Sequence, residues 1–298
     1  MAGALEQVSG AFSAAFELIG KKTRQLYINM LWLEAIGALI GGAVILLLAA
    51  IALVFLSSSL PAIANFLASG GKGAFPSLGE GFLPAALLAS VVVVAALLLQ
   101  VVVMSVGYNI VEATAAGRKA DIKSQLEKNL VPVATYQAAY FLALLVLATP
   151  AIVSFAMLKG GMTFVLCGLA IISGLAVIVF AFLAQFAIPE IVIGGKSLVP
   201  AIQTSARKAM ANLFAVILLD LALGLIGFAV GGFSDLLQGG VDLGTDALAV
   251  GVPGADMVWV AINSILKFVI SILIEAALAM VVYMVVYLFW KGLKETAS

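Results

Sequence analysis

The sequence predicts an all-α polytopic membrane helix bundle, and three observations carry that prediction. Hydrophobic residues make up 64% of the 298 residues and charged residues 10%, against about 45–50% and about 25% in water-soluble domains. The apolar residues gather in six long runs, each reaching the roughly 20 residues that a spanning helix needs. The runs are continuous rather than alternating, which argues against the short strands of a membrane barrel. Helices then remain as the way to satisfy every backbone group in lipid.

In chain order, the first element is amphipathic. Leu5, Val8, Phe12, Phe16 and Ile19 recur at helical spacing on one face, with Glu6, Glu17, Lys21 and Lys22 mostly off it. Such a segment is expected to lie in the headgroup plane. The spans follow at Ile28–Ser57, Leu83–Gly107, Val133–Leu158, Met162–Ile188, Asn212–Phe233 and Met257–Trp290. Basic residues fall on one side of them. Lys21, Lys22 and Arg24 precede the first span; Arg118, Lys119, Lys123 and Lys128 separate the second and third; Lys196, Arg207 and Lys208 separate the fourth and fifth; Lys291 and Lys294 follow the sixth. The opposite loops hold only Lys72 and Lys159, and the last of them reads as acidic, with Asp235, Asp242, Asp246 and Asp256. The positive-inside rule then makes both termini cytoplasmic. Met1–Gly10 has no basic flank and no short apolar core, so no signal peptide is expected.

Self-comparison adds a three-fold repeat within one membrane domain, 1–298. The stretch Glu34-Ala-Ile-Gly-Ala-Leu-Ile-Gly-Gly-Ala-Val44 matches Asp220-Leu-Ala-Leu-Gly-Leu-Ile-Gly-Phe-Ala-Val230, and the same register aligns Lys21-Lys22 with Arg207-Lys208. Asp121-Ile-Lys-Ser-Gln-Leu-Glu-Lys128 supplies a middle copy, in which Tyr140 takes the acidic position. Glu112-Ala-Thr-Ala-Ala-Gly-Arg118 parallels Glu190-Ile-Val-Ile-Gly-Gly-Lys196 at the ends of the even spans. Each unit (about 1–110, 111–190 and 191–298) reads as a cytoplasmic amphipathic helix followed by a transmembrane hairpin. Units in one orientation imply a pseudo-symmetry axis along the membrane normal. Gly37-x-x-x-Gly41 and Gly227-x-x-x-Gly231 offer small faces for close helix packing.

Ile188-Pro-Glu-Ile-Val-Ile-Gly-Gly-Lys196, then Ala201-Ile-Gln-Thr-Ser-Ala-Arg-Lys208 and Asn212, form an acidic helix end, a glycine turn and a basic amphipathic helix. This junction resembles that of the glycerophosphoryl diester phosphodiesterase membrane-domain family and its prokaryotic relatives. The resemblance implies an integral membrane module in a prokaryotic plasma membrane. The phosphodiesterase domain that names the family is separate and has no counterpart in this sequence.

Composition narrows the chemistry. There is no histidine, the commonest metal ligand and general base. Cys167 is the single cysteine and sits in an apolar run, so neither a disulfide within the chain nor a thiolate metal site is expected. Formal net charge is zero, and nothing points to nucleic acid. No catalytic residue, metal or cofactor is expected.

Ionisable groups in lipid are costly and therefore functional candidates. Asn263, Lys267, Ser271 and Glu275 recur every four residues, with Glu275 about 22 Å from Trp290 by helical rise. That stripe is expected to face the bundle interior as inter-helix polar contacts. Lys267 lies nearer the outer surface, close to Trp259, and can snorkel. Glu34 and Asp220 occupy equivalent repeat positions, and Gln100 is a further mid-membrane polar residue. Glu112 and Glu190 sit nearer the interface, where a neighbouring Arg or Lys can pair with them. Lys21, Lys22, Arg24, Lys123, Lys128, Arg207 and Lys208 are candidates for gripping anionic lipid headgroups. The resulting expectation is a non-enzymatic scaffold, assembly or accessory module, bound to lipids and to a membrane-protein partner or to further copies of itself. A transporter built on the Glu275 stripe is the alternative. An intramembrane enzyme would need two close carboxylates, such as Glu275 with Asp220.

Overall fold

A computed structural model describes residues 2–56, 101–156, 163–249 and 256–293. The described residues are helical, with no strand. The helices are α1 (Ala2–Leu56), α2 (Val101–Ala115), α3 (Ile122–Ala156), α4 (Thr163–Ala184), α5 (Ala187–Val192), α6 (Leu198–Ala211), α7 (Leu213–Ala249) and α8 (Asp256–Gly292). Five segments are long and apolar enough to cross a membrane: Gly3–Leu48, Glu127–Ala151, Cys167–Val192, Leu213–Leu243 and Val260–Gly292. The protein is therefore a membrane-embedded helical protein. Most of the expected second span, Gln100 included, lies outside the described residues, as do Lys72 and Lys159.

The chain divides into two compact units, 35–103 and the remainder. In the smaller unit, a Cβ built on Gly37 would lie 3.6 Å from the Val103 side chain, an ordinary contact. The larger unit contains two antiparallel hairpins. In α3–α4, the Tyr136 hydroxyl donates to the Ala184 carbonyl at 3.0 Å, Tyr140 stacks on Phe180 with centroids 5.4 Å apart, and Ser173 donates to the Leu147 carbonyl. In α7–α8, Gln238 meets Ser271, while Asp242 meets Lys267 and Asn263.

Two expectations are corrected here. The acidic outer loop is not a loop over Asp235, Asp242 and Asp246, because α7 continues through them to Ala249 and Asp256 opens α8. Gly231-Gly232 and Gly239-Gly240 do not stop that helix. A helical glycine costs about 1 kcal/mol relative to alanine, whereas a free backbone group in lipid costs several. The second correction concerns α1. It runs unbroken from the amphipathic segment into the span, and its buried stripe is Val8, Ala11, Ala15, Ile19, Leu26, Met30 and Leu33. Leu5 and Phe16, expected on that face, are 62% and 54% exposed. The packed stripe uses alanines because small side chains let a neighbour approach closely.

Burial in the larger unit is polarised. Val133 and Tyr136 near the start of α3, Ala184 ending α4, Ala215, Val216 and Leu219 opening α7 and Ala276, Met280, Met284, Tyr287 and Trp290 closing α8 are buried. Antiparallel pairing brings these stretches to the same end of their hairpins. Toward the other end, Leu142, Val146, Ile171, Ile172, Phe228, Leu236, Val260 and Ile265 are exposed, as lipid-facing side chains are. Tight packing is found at Gly107, where a Cβ would sit 2.9 Å from the Tyr283 ring, while Cβ atoms at Gly41, Gly227 and Gly231 would meet nothing within 4 Å among the described residues.

Gly107→Ala is expected to lower thermal stability in detergent by about 1–3 kcal/mol, the usual cost of overpacking. Pairing it with Tyr283→Leu, which removes the opposing ring, recovers much of the loss relative to Tyr283→Leu alone. Strictly additive losses in that double-mutant cycle would show that the ring is not what the new methyl meets.

Candidate functional site

The most concentrated polar chemistry lies at the buried end, where α4 passes into α5 and then α6. Pro189 sits in the first turn of α5, where its missing N–H is no loss. The helix then stops at Gly194-Gly195. Gly195 has φ +64°, a left-handed conformation that glycine adopts freely. A Cβ on Gly194 would sit 2.6 Å from the Glu190 carbonyl oxygen, so the turn is closed against side chains there too. The reversal lets the Gly195 N–H donate to the Ile191 carbonyl at 3.2 Å and the Lys196 N–H to the Glu190 carbonyl at 3.1 Å. The Lys196 side chain is thereby returned to the carboxylate six residues before it.

Glu190 is 1% exposed. Its Oε2 lies 3.0 Å from Lys196 Nζ and its Oε1 2.8 Å from Lys208 Nζ. The Trp290 indole N–H also donates to Oε1, at 2.8 Å. Lys208 Nζ is 4.6 Å from the Trp290 ring centroid, a cation–π distance. Lys196 further donates to Thr204 Oγ1 at 3.0 Å. One turn away, Ser205 Oγ donates to the Leu183 carbonyl at 2.6 Å and accepts the Phe186 N–H at 3.1 Å. Asn129 of α3 donates to the Val192 carbonyl at 3.4 Å, and Phe186 stacks on Phe289. One carboxylate thus joins α5, α6 and the end of α8, and neighbouring bonds bring in α3 and α4.

The buried face of α6 is small and polar: Ala201, Thr204, Ser205, Lys208 and Ala209. Val199, Arg207 and Met210 face outward. Lys208 was expected at the headgroup surface beside Arg207; it is instead 7% exposed and paired with Glu190. A helix turns about 100° per residue, so adjacent basic residues face differently. The other headgroup candidates, Lys21, Lys22, Arg24, Lys123, Lys128 and Arg207, are exposed, and Lys21 pairs with Glu17 at 2.6 Å. Glu112 pairs with Arg118 at 2.6 Å across a second glycine turn, with Gly117 at φ +68°. There the Arg118 N–H donates to Ala113 and the Gly117 N–H to Thr114, which is the Schellman pattern.

The second polar constellation joins α7 to α8. Asn263 donates to Asp242 Oδ1 at 2.7 Å, and Lys267 Nζ lies 2.5 Å from the same oxygen. Gln238 donates to Ser234 at 3.1 Å and to Ser271 at 3.5 Å. The stripe Asn263, Lys267, Ser271 therefore meets a matching stripe, Ser234, Gln238, Asp242, which sequence reasoning missed because Asp242 was assigned to a loop. Glu275, expected on the same interior face, is exposed. Each four-residue step drifts about 40° around a helix, and three steps carry Glu275 off the seam. Glu34 is half-buried. Asp220 is exposed, with the Gln185 amide, oriented to donate, at 3.1 and 3.2 Å from its oxygens. Helical rise from the Gln238–Ser271 pair separates Asp220 from Glu275 by about 20 Å along the hairpin. The two do not form an acid dyad.

Trp290 is the residue sequence reasoning undervalued, having read it as a span end; an indole beside a lysine-rich segment was the available signal. Among the described residues no group of three or more His, Cys, Asp or Glu is placed to hold a metal ion. The chain matches no protein-family model, no curated protein and no solved structure.

Glu190→Gln is expected to cost about 3–5 kcal/mol, because it strands buried Lys208 without its counter-charge. Trp290→Phe keeps a ring under Lys208 and removes the indole donor, so it is expected to cost about 1–3 kcal/mol. Thermal melts of both variants in detergent check the order; equal, small losses would mean that Glu190 is solvated rather than buried.

Proposed function

We propose that the protein is a non-enzymatic integral membrane module, a scaffold, assembly or accessory unit, that holds anionic lipid headgroups at the end where α3 begins and α6 lies. The observation that carries this reading is the division of labour among cations there. Lys196 and Lys208 are consumed by Glu190, whereas Lys123, Lys128 and Arg207 are exposed. Exposed Ile122, Val199 and Met210 accompany them. An apolar outward side with basic residues beside it suits the headgroup boundary, where each Lys or Arg near an anionic surface contributes about 1 kcal/mol. By the positive-inside rule this end faces the cytoplasm, with both termini, and the membrane is the plasma membrane of a prokaryote. The resemblance of the 188–212 junction to the glycerophosphoryl diester phosphodiesterase membrane-domain family favours a module of this kind. The three-unit repeat, with a sixth span between 83 and 107, is supported by the like turns Glu112–Gly117–Arg118 and Glu190–Gly195–Lys196. The polar groups around Glu190 are bonded to one another, which suits holding helices together better than moving protons on a substrate.

Replacing Lys123, Lys128 and Arg207 together by Gln is expected to reduce retention of anionic over zwitterionic lipid by roughly tenfold or more. Native mass spectra of protein extracted from mixed-lipid vesicles read that ratio directly. Lys208→Gln should leave the ratio unchanged and lower the melting temperature instead. Undiminished selectivity in the triple variant would refute the headgroup reading.

A further inference from the structure

Two prolines, Pro132 and Pro150, lie inside α3, and their surroundings differ. A proline within a helix has no N–H for the carbonyl four residues back, and its ring crowds that carbonyl, so the helix bends or breaks unless something holds it. Pro132 lies at the packed end. Asn129, Val133 and Tyr136 around it are buried, and Asn129 and Tyr136 donate to the Val192 and Ala184 carbonyls. Pro150 lies toward the far end of the α3–α4 hairpin, where Leu142, Val146, Thr149 and Pro150 itself are exposed. The facing helix is nearly as bare: among the described side chains of α4, Ser173 and Ala184 are the buried ones. A hydroxyl is thus what α4 turns into the far half of the hairpin. It donates to the Leu147 carbonyl, next to the Val146 carbonyl that Pro150 cannot serve. Ser and Thr side chains are one way in which membrane helices re-satisfy backbone freed by proline.

We propose that Pro150 is a hinge in α3 and that Ser173 is the latch that holds it shut. With the bond made, the stretch of α3 past Pro150 stays aligned with α4. With the bond broken, the Leu147 carbonyl meets hydrocarbon, which offers no donor, and that stretch swings away. A hydrogen bond between membrane helices shifts such an equilibrium by about three- to thirty-fold. The latch therefore makes the closed hairpin the major state and keeps the open one within reach of thermal motion. The packed end takes no part, because burial around Pro132 and the bonds of Asn129 and Tyr136 fix the start of α3. One end of the hairpin is clamped and the other can open sideways. This device is independent of the headgroup reading, since it sits at the opposite end of the hairpin from the exposed cations Lys123 and Lys128 of α3.

The test uses the full chain in lipid nanodiscs, in a Cys167→Ser background. Spin labels on Ser154→Cys and Val165→Cys report the separation of the far ends of α3 and α4 by pulsed electron resonance. The parent is expected to give one main distance. Ser173→Ala is expected to raise a longer-distance population about three- to thirty-fold. Pro150→Ala returns the missing N–H to α3, and in that background Ser173→Ala is expected to leave the distances unchanged. A second label pair at the packed end, on the exposed residues Val131→Cys and Val199→Cys, is expected to keep its distance in every variant. No longer population in Ser173→Ala overturns the inference. So does an equal gain with Pro150→Ala present, since the hydroxyl would then serve the hairpin rather than the proline break. A shift of the packed-end pair in Ser173→Ala also overturns it, because the whole hairpin would have loosened.

Discussion

The larger unit depends on one buried carboxylate. Glu190 has almost no contact with solvent, and two ammonium groups and an indole N–H come to it from three directions. An uncompensated carboxylate at that position would be costlier than any single contact in the bundle is favourable. The chain therefore has to bring Lys196, Lys208 and Trp290 to it. Lys196 needs the Gly194-Gly195 reversal; Lys208 needs α6 to lie with its polar side inward; Trp290 needs the last helix to end at that level. A desolvation constraint at one residue thus dictates a turn, a helix rotation and a helix end. A buried ion pair of this kind is weak evidence for net stability, but removing one partner is strongly destabilising.

The same end carries most of the packed core of that unit, and the two ends of the hairpins answer to different solvents. Where Phe186, Leu219, Met284 and Tyr287 pack, hydrophobic burial and polar pairing act together. Where Leu142, Ile171, Phe228 and Ile265 are exposed, lipid replaces the protein interior, so those positions need only be apolar. The α7–α8 seam differs, because polar and charged side chains pair there between two otherwise apolar helices. Its polar residues join the two helices through the Asp242–Lys267 pair and the Gln238–Ser271 contact.

Much of this was legible as pattern. The glycine turn between Glu190 and Lys196 stood out through its likeness to Glu112–Arg118, and both acids do pair with the base six residues on. Asn263, Lys267 and Ser271 announced an inter-helix seam by their four-residue spacing. Their partners on α7 were hidden, because Gly239-Gly240 and several aspartates look like a loop when judged by rules that hold in water. The packed face of α1 was misjudged for a related reason: Leu5 and Phe16 looked core-seeking, but lipid competes for them as well as protein does.

The sequence by itself determined the solvent and the all-helical class, since composition and run length are properties of the chain and need no partner. It also determined which acids have bases within reach of a short turn. Tertiary structure alone decided that Lys208 turns inward while Arg207 turns outward, that Trp290 reaches a carboxylate 100 residues away, and that Glu275 leaves the seam its neighbours build. These depend on how each helix is rotated about its axis. In a helix apolar on every side, periodicity carries no signal for that rotation, so it is set by the few polar contacts that must be satisfied.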